Sequence, residues 1–213
     1  MELGTIPAGA SGLFQLYDSD TAIAVLGGTL LIAFFPKEGG PIESISAAMG
    51  DGVYVPAGVR HAFLNNDSAV TSFIAARPVS ESECEVQPGN GKGPLQVIPA
   101  SRHHEEFGHG IPRRWAISES LLGHPVGVGL TWGQVPAGSS GHYHSHPVDT
   151  AITILNGRVL VPFYPEGNED ELETIDAREG TSIFIPANWV HGPAVPFSKA
   201  MTYYAARPVG IED

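Results

Sequence analysis

The sequence predicts an all-β chain built from two tandem barrel or sandwich units. Three observations carry that expectation. Its 213 residues include 26 Gly and 18 Pro, spread so that they cut the chain into short segments joined by turns. The segments between them are β-rich, as in TAIAVLGGTLLIAFF (21–35) and TAITILNGRVLVPFY (150–164). Finally, the chain repeats itself, the signature of a duplicated unit.

The repeat sets the order of the elements. Gly4–Gly28, GTIPAGASGLFQLYDSDTAIAVLGG, matches Gly133–Gly157, GQVPAGSSGHYHSHPVDTAITILNG, without a gap and with about half of the positions identical. GDGVYVPAGVRHAF (50–63) then matches GTSIFIPANWVHGP (180–193), and AARPV occurs at 75–79 and again at 205–209. The offset grows by one residue across the acidic loop EGNEDELETIDAREG (166–180). The organisation expected is a first unit at 1–79, a linker SESECEVQPGNGKGP at 80–94, and a second unit at 95–213. GHPVGVGLTWGQVP (123–136) supplies the second unit with a leading strand. The first unit starts too late to have its own, so the middle segment or another subunit is expected to supply it. PRRWAISESLLG (112–123) suits a helix opened by Pro and closed by Gly, and nearly as well a strand.

Composition narrows the partners. A net charge of -12 repels phosphate backbones, which argues against nucleic acid. No apolar run approaches the roughly 18 residues of a membrane-spanning helix. MELGTIPAGA has neither the basic nor the apolar region of a signal peptide, and the single cysteine, Cys84, excludes an intramolecular disulfide. A cytoplasmic location is the expectation. Cys84 has no paired histidine nearby in sequence, which argues against a nucleophile.

The chemistry lies in the histidines. His142, His144 and His146 alternate along one extended stretch, so all three share a face. His191 follows the PANW turn on a distant strand that a barrel can bring alongside. Three neutral imidazoles from two strands leave coordination positions open, as a catalytic metal requires. A second register, using His142, His144 and Asp149, fits the spacing to Gly157 less well. Asp149 also recurs as Asp20 in the copy without the histidines, which suggests a turn bond. SRHHEEFGHG (101–110) reads as a solvated loop, Arg113 and Arg114 as surface cations with a clamp on a substrate carboxylate as the alternative, and Phe163, Trp189, Tyr203 and Tyr204 as core or pocket wall.

These motifs resemble the cupin superfamily. The first motif, G-x5-H-x-H-x3-E-x6-G, is matched by Gly138, His144, His146, Thr150 and Gly157; the second by Gly180, Pro186, Asn188 and His191. The resemblance covers nearly the whole chain. It implies two tandem double-stranded β-helix (jelly-roll) barrels, a bicupin, with a metal held by His144, His146 and His191. Three positions depart from the pattern. Thr150 stands where the family has a ligating glutamate, Asn188 where it has glycine, and Val195 where it has asparagine. Asn is the non-glycine residue best suited to a left-handed turn. In the first unit the site positions hold Gln15, Tyr17, Thr21 and His61, so that half is expected to be metal-free.

Thr150 is expected to line the pocket. It and His142 are the candidate catalytic residues, with His142 as a base, a fourth ligand, a group behind the ligands or a plain surface residue. Without the glutamate, a bound dication keeps its full charge until an anion arrives, which favours an enolate or carboxylate. The function expected is a non-haem Fe(II) dioxygenase acting on a chelating diketone, phenol or enol, with one metal per chain. The alternatives are a zinc-type isomerase, lyase or cyclase, and a non-catalytic binding protein. Zn, Mn and Ni are the other metals that fit. A homodimer joined at sheet edges is the expected assembly.

Overall fold

The computed structural model describes residues 1–78, 94–108, 111–139, 141–192 and 195–209. Most of the linker, with Cys84, lies outside the described residues. The described residues form antiparallel sheets and almost no helix, in two compact units.

The first unit contains β1 (Glu2–Ile6), β2 (Thr21–Gly27), β3 (Thr29–Phe34), β4 (Glu43–Ala48), β5 (Gly52–Val55), β6 (His61–Leu64), β7 (Thr71–Ala76) and β8 (Gln96–Ile98). One sheet runs β1-β7-β2-β5-β8 and the other β4-β3-β6. Their inner faces meet in a core that includes Ile23, Val25, Leu30, Ile32, Val53 and Phe73. Burying each such side chain stabilises the fold by roughly 1.5–3 kcal/mol.

The rest of the chain contains β9 (His104–Gly108), β10 (Ile111–Ile117), β11 (Val128–Val135), β12 (Thr150–Asn156), β13 (Arg158–Pro165), β14 (Glu173–Arg178), β15 (Ser182–Ile185), β16 (Trp189–His191), β17 (Val195–Pro196) and β18 (Met201–Pro208). The larger sheet runs β15-β12-β18-β11-β10-β9; the smaller runs β14-β13-β16, with β17 also on β13. Ile111, Val135, Ile154, Val159, Val161, Ile183 and Met201 belong to the second unit's core.

The repeat in sequence is a repeat in structure. The β2–β7 register slips between Val25 and Gly27, and the β12–β18 register slips at the matching place, between Ile154 and Asn156. Gly28 and Gly157 follow with φ of 73° and 91°, a region closed to most side chains. Gly4 and Gly133 serve close approach instead. A Cβ on Gly4 would lie 2.4 Å from the Phe73 ring, and one on Gly133 2.3 Å from the Tyr203 ring.

The boundary differs from the division at 80–94. The first unit comprises Met1–His103 and Ala116–Leu130; the second comprises His104–Trp115 and Thr131–Asp213. The reason is burial and pairing. β1 takes the leading position beside β7, and the middle segment adds β8 to the edge of β5. Ala116, Ile117 and Leu130 are fully buried. A Cβ on Gly52 would lie 2.5 Å from the Ala116 carbonyl oxygen, so that backbone fits only against glycine.

Two local expectations are corrected. The stretch read as a solvated loop is a short 3-10 turn, Ala100–Arg102, followed by β9. Glu105 and Glu106 on β9 stand opposite Arg114 and Arg113 on β10, and these cross-strand ion pairs favour pairing over an open loop. The ambiguous segment at 112–123 is both things in turn. It is strand through Ile117, then one helical turn, α1 (Glu119–Leu122), capped by Ser118 and closed by Gly123 at φ 77°.

Candidate metal centre

The site is assembled by backbone bonds before any side chain takes part. His144 and His191 form an isolated antiparallel bridge, with N–H to O distances of 3.1 and 2.9 Å. Asn188 N–H donates to the His146 carbonyl at 2.7 Å, which ties the PANW turn to the histidine stretch. Asn188 has φ 61° and is the one non-glycine residue with positive φ among the described residues. The turn is held from below by Asp149, whose Oδ1 accepts from Ala187 N–H at 2.8 Å. The alternative register with Asp149 as a ligand is therefore not the one the fold assembles.

This frame brings His144, His146 and His191 together, with one ligand atom from each lying within 4.8 Å of the others. Ring centroids are 4.2 Å apart for His144–His191, 5.0 Å for His144–His146 and 5.4 Å for His146–His191. His146 and His191 are buried, and His144 is half-buried. His144 Nδ1 donates to the carbonyl of His142 at 2.8 Å, and His191 Nδ1 to that of Trp189 at 3.1 Å. A backbone carbonyl accepts only, so both rings keep their protons on Nδ1 and turn the Nε2 lone pair inward. Burial pushes His144 down from the ordinary histidine range. His191 is pushed down to about 4 by burial first and by the neighbouring His144 second. Rings held neutral in this way are the form that binds a metal. A divalent transition metal fits this donor set.

The first unit repeats the frame and changes the side chains. Gln15 and His61 form the same bridge at 2.7 and 2.9 Å, and Gly58 N–H donates to the Tyr17 carbonyl at 2.8 Å. Asp20 Oδ1 accepts from Ala57 N–H at 2.9 Å, as Asp149 does from Ala187. His61 Nδ1 meets the Val59 carbonyl at 2.8 Å, and its ring is packed by Tyr17 and Phe63.

The three histidines face a cavity of about 90 Å³ inside the second unit. Its wall is mostly apolar, with Ile152, Ile154, Val161 and Ile183 among its residues. Alternate residues of β18 (Met201, Tyr203, Ala205 and Arg207) also line it, as do Ile111 and Arg113 of β10. Burial pushes the Tyr203 hydroxyl up to about 12. His142 is exposed and lines the same cavity, but it lies outside the ligand group. Thr150 is buried on the wall; its hydroxyl has no hydrogen-bond partner among the described residues, and Thr21 repeats that environment in the first unit.

The cations hold the main surprise. Arg113, read first as a surface cation and alternatively as a carboxylate clamp, lines the cavity, paired with Glu106, which also accepts from Trp115 Nε1 at 2.9 Å. Arg114 is exposed as expected and pairs with Glu105. Arg207 was not singled out by the sequence, because AARPV occurs in both halves and reads as architecture. It lines the cavity with its guanidinium 5.5 Å from the centre of the Trp115 ring and Nη1 2.9 Å from His146 Nδ1.

The fold is that of duplicated jelly-roll units, with a three-histidine cluster in one of them. Solved structures similar to this chain include Bacillus subtilis oxalate decarboxylase, studied for its Mn(II) centres, at 11% identity and a TM-score of 0.76, covering 99% of this chain and 70% of that one. The formate complex of Lactobacillus farciminis oxalate decarboxylase is similar at 11% identity and a TM-score of 0.78, covering 99% of this chain and 78% of that one. At such identity the likeness is one of fold. No protein-family model matches the sequence, and the search of curated proteins returned no match. No helix among the described residues is long and apolar enough to cross a membrane.

Proposed function

We propose that the second unit holds one divalent metal on His144, His146 and His191, and that the protein is a metal-dependent enzyme cleaving a carbon–carbon bond in a small chelating carboxylate. The observation that carries this reading is the composition of the cavity. Four imidazoles, three of them the grouped ligands, and two guanidiniums line the cavity, and Thr150 stands where a carboxylate ligand would otherwise be. Such a site lacks negative charge, and an anionic substrate supplies it. The solved oxalate decarboxylases, with Mn(II) centres in one and bound formate in another, are consistent with this substrate class.

When bound, the metal would act as a Lewis acid toward the chelated carboxylate and the charge that develops beside it. The chain's own groups do the rest. Arg113 and Arg207 present planar donors suited to a carboxylate. Tyr203, kept neutral by burial, serves as a hydrogen-bond donor on the wall. The apolar residues limit water, and exposed His142 lines the cavity as the candidate general base. Imidazole with carboxylate suits manganese and iron alike.

The iron dioxygenase expected from the sequence is the second reading. It is favoured by three neutral ligands, which leave positions for both substrate and O2. The two guanidiniums on the cavity wall favour carboxylates over neutral diketones or phenols. The test is metal analysis of untagged protein, with CO2 release and O2 uptake measured across short di- and keto-carboxylates. CO2 release without O2 uptake supports a decarboxylase, and stoichiometric O2 uptake the dioxygenase. Full metal content in both His144→Ala and His191→Ala overturns the site.

A further inference from the structure

The repeat places the same strand in two different surroundings. β5 in the first unit matches β15 in the second, with Gly52, Val53 and Tyr54 falling on Ser182, Ile183 and Phe184. On one side β5 pairs with β2, and β15 pairs with the matching β12. On its other side β5 carries β8, with Gly52 opposite Ile98 and Tyr54 opposite Gln96. Among the described residues β15 has no strand there and ends its sheet. The side chains differ in the same way. Tyr54 is fully buried, its ring 5.3 Å from that of His124. Phe184 is 63% exposed.

The bare edge is ready to bond. Ile154 N–H donates to the Thr181 carbonyl at 2.9 Å, as Val25 N–H does to the Asp51 carbonyl at 3.0 Å. Backbone groups alternate sides along an antiparallel strand, so Ile183 bonds toward β12 while Ser182 and Phe184 turn N–H and C=O to the open side. In the first unit the matching groups of Gly52 and Tyr54 face β8. Proteins commonly guard open edges with charge. Glu2, Glu43, Glu105 and Glu173 lie on the edge strands β1, β4, β9 and β14. β15 has no charged residue, and none occurs from Gly180 to Ser198.

We propose that β15 is the seam of a homodimer, in which it pairs antiparallel with β15 of a second copy across a two-fold axis. Two features select a second copy as the occupant. The net charge of -12 makes copies repel one another, so they meet with least opposition where each is neutral. The strand is also complementary to itself. With the axis at Ile183, Ser182 of one copy stands opposite Phe184 of the other, and the outward N–H and C=O groups of both residues find partners. The two Phe184 rings then lie beside the seam on its outer face. Ile183 lines the cavity, so the seam borders the cavity wall. This narrows the homodimer expected at sheet edges to one strand, and it stands independently of the metal centre.

The experiment is sedimentation equilibrium of the full chain. The native protein is expected to dimerise with a dissociation constant on the order of 10 μM. Phe184→Lys puts a charge on the exposed edge and should weaken the dimer at least about a hundredfold. Ser182→Pro removes an outward N–H and no apolar surface, which separates strand pairing from plain apolar contact; it should weaken the dimer about tenfold. Phe107→Lys alters a residue that is 76% exposed on β9 and should leave the dimer unchanged. If Phe184→Lys misfolds by circular dichroism, Ser182→Lys takes its place with the same expectation. A native chain still monomeric at about 100 μM overturns the proposal, as does a folded Phe184→Lys or Ser182→Pro variant that dimerises with native affinity.

Discussion

Asp20 and Asp149 occupy the same position in the two copies, and replacing each with alanine should have unequal consequences. Asp20 is 1% exposed and accepts two backbone hydrogen bonds, from Ala57 at 2.9 Å and from Gly127 at 2.7 Å. Asp149 is exposed and accepts from Ala187 at 2.8 Å. A hydrogen bond to a carboxylate contributes about 1.5–3 kcal/mol when sheltered and less when water competes. Asp20→Ala should therefore cost about 3 kcal/mol, and Asp149→Ala about 1 kcal/mol. Urea unfolding can separate the units, because Trp115, Trp132 and Trp189 all belong to the second. Tryptophan fluorescence follows that unit alone, whereas far-ultraviolet circular dichroism follows both. With a urea slope of about 1–3 kcal/mol/M, the Asp20→Ala transition should move by on the order of 1–2 M and the Asp149→Ala transition by well under 1 M. An Asp149→Ala loss equal to or larger than that of Asp20→Ala would refute the reasoning.

Three further outcomes are expected. Gln15→His with Tyr17→His should raise metal content from one to two per chain by elemental analysis, because the backbone bridge around His61 already matches the second unit. Asn188→Ala should destabilise by roughly 1 kcal/mol at φ 61°, while Asn188→Gly should stay within a few tenths, as read from thermal unfolding. Burial lowers His61 from 6.5, so the folded state favours its neutral form. The unfolded chain takes up that proton first, and stability is level above about pH 6.5 and falls as the pH drops below it. Comparing urea midpoints at pH 7.5 and 5.5, His61→Gln should lose less stability on acidification than the native chain; an equal loss would remove His61 from the account.

The repeat made the fold legible. Gly28, Gly50 and Gly58 each have a partner 129 or 130 positions later, and every partner adopts the same left-handed backbone, with Asn188 replacing glycine. Ligand spacing was legible for the same reason, since alternation along a strand fixes which imidazoles share a face. The cavity cations were not. Whether Arg113 faces in or out depends on the register of β10, and a strand shifted by one residue reverses every side chain. Arg207 was hidden by the logic that exposed the histidines, for a residue present in both copies looks structural. The division into units is a matter of pairing rather than composition. Composition locates a linker, but only pairing reveals that β8 and residues 116–130 complete the first unit.

That shared boundary also constrains how the chain is made. Domains commonly fold as units while the polypeptide is still being synthesised, the N-terminal one first. Here the first unit stays unfinished until Leu130 has been added, because Ala116–Leu130 belong to it. A nascent chain ending at the linker would leave the edge of β5 without β8 and the backbone at Gly52 without the Ala116 carbonyl against which it packs. Synthesis must therefore carry an incomplete barrel past the halfway point, and a fragment cut at the linker should behave as that stalled intermediate, prone to pair its bare strand edge with another chain.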